Sequence, residues 1–267
     1  YLAKGRSHEA LGESDKADAA LSEAFKAEPK NPEPLFVMAE SADRRGDLAR
    51  CETLYRRILD DVDPRYAAAR ERLFRLYLNT DKLDKAREYY ADFEKLAQEC
   101  PEKDRCKALL NLASTVAKGL SAGQPVGSDK GLDGYRAELR TIVRKYPTDP
   151  VTHLDLALSY QVSRDYKQGL AELDEAARIE PDNVRVLDFR ARLQALSLDF
   201  EGAARTFQAL LVHRPRDANY QQQLAQMAFN VADFDTAIPV CEQLASRDDL
   251  KAAHESLLEQ LIDVLRH

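Results

Sequence analysis

Three prolines set the period of this chain. Pro147, Pro181 and Pro215 follow one another at 34-residue intervals, and each closes a pair of amphipathic segments. The clearest pair runs from Asp149 to Asn183. Leu154, Leu156, Ala157 and Tyr160 fall on the inner side of its first segment, and Leu170, Leu173, Ala176, Ala177 and Ile179 on that of its second. Spacings of three and four place such residues on one face of a helix. A polar turn at Ser163–Asp165 joins the two segments. Pro181 stops the second, because the residue before a proline is pushed out of the helical region.

A proline-terminated helix pair with this period resembles the tetratricopeptide repeat family. The family wants small residues at three positions, where Ala157, Gly169 and Ala176 stand, and the first two face each other where the two helices cross. A larger side chain at a crossing would hold the helices apart. The resemblance implies an all-α fold, a right-handed α-α superhelix of about seven repeats closed by a capping helix. It implies one solenoid domain over 1–267, with units at 1–31, 32–65, 66–101, 102–149, 150–183, 184–217 and 218–249. Residues 250–267 carry an apolar stripe, Leu250, Ala253, Leu257, Leu258, Leu261 and Leu265, and are expected to form the cap. The chain starts at Tyr1, part-way into a repeat and without a methionine, so a fragment of a longer protein is expected.

Two adjacent units depart from the pattern. Phe74 occupies a small position in the third and Tyr135 one in the fourth, with Phe93 a further misfit. The second helix of unit three is expected to run on through Leu96 to Glu99. A glycine-rich insertion is expected at 119–131. The crossing there is expected to be opened, giving a hinge or a change of curvature and the least protected part of the array.

The search for chemistry ends without a catalytic constellation. The five histidines are dispersed, with no metal-ligand spacing. GQPVGSDK lacks the glycine spacing and the Lys-Ser or Lys-Thr pair of a phosphate loop. No base stands ready to activate a nucleophile. No enzyme activity, cofactor or metal is therefore expected. A net charge of −7 provides no basic field for nucleic acid. No apolar run approaches the roughly 18–20 residues that cross a bilayer. Cys51 and Cys241 fall at core positions. Cys100 and Cys106 flank the sequence PEKDR, taken as a turn between helices, and would form a disulfide if that turn were tight. The compartment stays open: cytoplasm, or a periplasmic or envelope location if the bridge exists.

The resemblance places partner contacts in a groove lined by the first helix of each repeat. Carried over unit by unit, it offers Phe36 and Glu40, then Arg75, then Gln161. Unit six adds Arg185, Asp188 and Arg192, and unit seven Gln222, Gln226, Phe229 and Asn230. Amides can bond an extended peptide backbone and arginines can hold a carboxylate. The expected role is a non-catalytic scaffold or adaptor holding a peptide or helix of a partner protein, the chain itself being a monomer or part of a larger chain. The rival readings are a structural segment of a bacterial envelope or secretion protein, and the regulatory arm of an enzyme outside this sequence.

Overall fold

The computed structural model describes residues 1–96, 99–121 and 129–245. Among these are fourteen α-helices and no strand. They come in pairs: α1 Leu2–Ala10 with α2 Ser14–Ala27, α3 Glu33–Arg44 with α4 Leu48–Arg57, and α5 Ala67–Asn79 with α6 Leu83–Lys95. Next come α7 Pro101–Ser121 with α8 Asp129–Lys145, and α9 Pro150–Val162 with α10 Tyr166–Ile179. The last pairs are α11 Val184–Leu196 with α12 Phe200–His213, and α13 Ala218–Asn230 with α14 Phe234–Ala245. One π turn, Ile58–Val62, continues α4.

The same local chemistry makes most of the turns. At the ends of α3, α5, α11 and α13 the N–H groups of Asp47, Lys82, Asp199 and Asp233 donate to carbonyls five residues back, each at 2.9 Å. That bond is the signature of a Schellman ending and needs a left-handed residue just before the donor. Gly46 (φ 74°), Asp81 (55°), Leu198 (65°) and Ala232 (59°) supply it. Asp47 and Asp199 then cap the second helix by accepting the Arg50 and Gly202 N–H groups. Between pairs, Asp149, Asn183 and Asp217 stand two residues after the three periodic prolines, and each accepts two backbone N–H groups at the start of α9, α11 or α13. The 34-residue spacing is thus a spacing of helix stops and starts.

The chain divides into two compact units, Tyr1–Glu9 with Glu13–Ser163, and Ala10–Gly12 with Arg164–His267. In the first, Leu35, Tyr55, Ile58, Leu73, Phe74, Tyr77 and Phe93 share one core, and Ala108, Tyr135, Leu139, Ile142 and Leu156 another. In the second, Ala191, Ala203, Phe207, Leu210, Tyr220 and Leu224 pack together, and Ala225, Ala228, Ala237 and Cys241 form a smaller cluster. Gly5 shows why crossings want small residues: a Cβ there would lie 2.6 Å from the Leu21 side chain.

The misfit positions turn out otherwise than expected. Phe74 and Phe93 are fully buried and Tyr135 nearly so, so the third and fourth repeats enclose their large side chains. Phe74 meets Tyr90 edge-on at 6.3 Å. Helix α6 stops at Lys95, where Leu96 turns extended, short of the expected run to Glu99. Both ends of the expected 119–131 insertion are helical, because α7 runs on to Ser121 and α8 begins at Asp129; the residues between, like the expected cap at 250–267, lie outside the described residues. PEKDR is not a turn but the start of α7, with the Cys100 carbonyl accepting the Asp104 N–H. Helical rise over six residues separates the Cys100 and Cys106 Cα atoms by about 9 Å, beyond the roughly 7 Å a disulfide spans. All four cysteines are buried free thiols.

Candidate functional site

In the first unit several first-helix side chains are bonded from one helix to the next. The Arg6 guanidinium donates to Glu33, which also accepts the Tyr66 hydroxyl at 3.0 Å. Glu9 accepts the Ser41 hydroxyl at 2.6 Å and pairs with Arg44. Glu40 pairs with Arg72 at 2.6 Å. Phe36 is stacked between Tyr55 and Tyr66, ring centres at 5.7 and 5.5 Å. Phe36 and Glu40 therefore serve the stacking of α3 on its neighbours.

The densest knot ties α5, α7 and α9. Arg105 of α7, almost wholly buried, donates to both oxygens of Glu71 at 2.9 and 2.6 Å. Its other terminal nitrogen meets Asp149, the cap of α9, and Thr152 at 3.5 Å. Arg75 donates to Glu71 at 2.7 Å and, across to α9, to Asp155 at 2.5 Å. Burial alone would push the Glu71 carboxyl up. The Arg75 charge and the hydrogen bonds and charge of Arg105 outweigh it and bring the group down to about 2. The same carboxylates hold Arg75 and Arg105 charged against the opposing effect of burial. Arg75, expected to meet a partner, is instead spent inside the fold.

Sequence reasoning missed Arg105, because its segment was taken for a turn. A signal was available: Glu71 and Arg105 lie 34 residues apart, one repeat period, and Glu40–Arg72 and Glu9–Arg44 are 32 and 35 apart. At the end of the unit, Gln161 is half-buried on α9, beside Leu158 and Val162, whose side chains are exposed.

The second unit presents a different surface. Arg192 makes a two-pronged pair with Asp188 within α11, at 2.9 and 3.1 Å. It remains more than half exposed, and Arg185 of the same helix is also engaged. On α13, Asn219 and Asn230 are exposed and Gln222 and Gln226 half-buried. Their spacing of three and four makes one stripe. Gln226 donates to Asn230 at 3.2 Å. Gln221 turns inward and donates to the Pro215 carbonyl at 3.1 Å. Phe229 meets Phe234 edge-on at 6.1 Å, at the end of this stripe. The structure thus brings Gln222, Gln226, Phe229 and Asn230 onto one helix, and keeps Phe36, Glu40 and Arg75 engaged elsewhere. Among the described residues no group of acids, histidines or cysteines is arranged to hold a metal, and no helix is long and apolar enough to cross a membrane.

The tetratricopeptide repeat family matches residues 2–59. Human tetratricopeptide repeat protein 5 is 26% identical over 204 residues, 72% of this chain and 46% of that protein. The Bos taurus protein of the same name is 24% identical over the same length. The chain therefore spans about half the length of the curated relatives it matches. Among solved structures, the human IFIT1 dimer with PPP-AAAA gives a TM-score of 0.57 at 15% identity, covering 94% of this chain and 61% of that one. PilW, a type IV pilus biogenesis factor, gives 0.55 at 14%, covering 85% and 98%. The hetero-tetramer Cut9-Hcn1 gives 0.52 at 14%, covering 85% and 42%. At such identities these likenesses establish the fold. With the family match over residues 2–59 and the same helix-pair unit continued to Ala245, the chain is similar to the tetratricopeptide repeat family.

Proposed function

We propose that this protein is a non-catalytic scaffold that holds an extended segment of a partner protein on the first-helix faces of its second unit. One observation carries the reading. The α13 stripe of Asn219, Gln222, Gln226 and Asn230 is uncharged and reaches solvent, whereas Glu9, Glu40 and Arg75 of the first unit are engaged in pairs to other helices. Each amide offers donor and acceptor together, which suits main-chain groups and places little demand on partner sequence. The Asp188–Arg192 pair next in the array adds a side-chain contact, since Arg192 keeps exposed surface. Affinity on the order of micromolar, about 8 kcal/mol, is expected of such a surface.

The test is capture on three baits: the parent chain, a Gln222→Ala/Gln226→Ala variant, and a Glu40→Gln/Arg72→Gln variant. A partner retained by the third and lost by the second supports the proposal. A bound set that does not change with the α13 amides overturns it.

A further inference from the structure

The buried ions and the misfit residues fall in the same place, and the coincidence has a physical meaning. In regular repeats small residues at the helix crossings fix how far one helix slides along the next, because only one register lets the backbones approach. The third repeat has lost this device to Phe74 and the fourth to Tyr135, both buried. The helices flanking those residues are the ones joined by Arg105, Glu71, Arg75, Asp149 and Asp155. We propose that this ion cluster takes over the register-setting role in the third to fifth repeats, selecting one position of α7 along α5 and α9.

The arrangement fits the role. Each charge has a directional partner on another helix: Arg105 with Glu71 on α5 and Asp149 on α9, and Arg75 with Asp155 on α9. Sliding α7 by one residue moves Arg105 by about 1.5 Å, enough to lose paired bonds of 2.6 and 2.9 Å and leave charge buried without a partner. Apolar contacts tolerate such a slip, since Leu or Met can repack. Buried ion pairs add little net stability against apolar residues of like size, and their best-attested use is fixing registry. Asp149 would keep its backbone donors, and Arg75 its Asp155, if the Arg105–Glu71 pair were absent.

The experiment replaces the pair by apolar residues of similar length, Glu71→Met with Arg105→Met. A second variant, Glu71→Leu/Arg75→Leu/Arg105→Leu/Asp155→Leu, removes both pairs. Hydrogen exchange and amide NMR spectra are read for α7, with α3–α4 and α12–α13 as controls. The proposal expects a melting midpoint close to the parent's, at least tenfold faster exchange in α7, and more than one set of α7 signals, with the controls unchanged. A single set of α7 signals with parental exchange overturns it. Failure of both variants to fold also overturns it, because the cluster would then supply stability itself.

Discussion

Leu198 is the residue that most plainly works against its own backbone. It holds φ at 65° with its side chain largely in solvent. A left-handed leucine costs about 1–2 kcal/mol, and glycine gives back about 0.5–1 kcal/mol through its freer unfolded chain. Leu198→Gly is expected to raise the thermal midpoint by about 2 °C; a fall in a calorimetric scan would show that the exposed side chain has a packing role. Arg105 works the other way. Arg105→Ala leaves the buried Glu71 with Arg75 alone and is expected to cost about 3–5 kcal/mol in a urea titration. The thiols are quiet: burial pushes Cys51 and Cys100 up to about 11. Thiol titration should give four free groups in denaturant and almost none in the folded chain; a count of two would restore the Cys100–Cys106 bridge.

At the scale of a helix, the starts matter most. Asp217 caps α13, and Asp217→Ala is expected to lower stability by about 1 kcal/mol, with exchange speeding first in the opening turn of α13, a local loss that peptide-level exchange would locate. Helix α5 carries the acid sensitivity. The folded pKa of Glu71 is depressed from its usual 4.5 to about 2, so its contribution is present above about 4.5 and lost as pH falls from there toward 2. Glu71→Gln should flatten that part of a stability-against-pH curve. Helix pairs and stops were legible in the sequence because Pro147, Pro181 and Pro215 mark them, and the apolar spacing marks the faces. The start of α7 was not, since Pro101 stands at a helix start as comfortably as in a turn. The site was legible only as a set of positions. Phe36, Glu40 and Arg75 have the right places in their helices, but each also meets residues outside its own helix, Tyr55 and Tyr66, Arg72, and Asp155, and single-helix periodicity holds no information on those. Pairing opposite charges at the repeat period would have revealed Glu40–Arg72 and Glu71–Arg105, though not Arg75–Asp155, which are 80 residues apart.

Across the whole molecule, denaturation should reflect two kinds of joint, small-residue crossings and buried ion pairs. Exchange in α5 and in α7 near Cys106 is expected to be as slow as in α11 and α12, reversing the weak point that Phe74 and Tyr135 suggested; fast exchange across Ala69–Tyr77 would restore it. The cross-repeat pairs also bear on how such a chain can change its copy number. Repeats held only by interchangeable small-residue crossings can be lost or duplicated whole, because the neighbours close over the gap with equivalent surfaces. The span 102–149 has no such freedom. Its excision removes Arg105 and Asp149 together and leaves Glu71 and Asp155 to share Arg75, so deleting this stretch is expected to cost more stability than deleting a repeat on the C-terminal side.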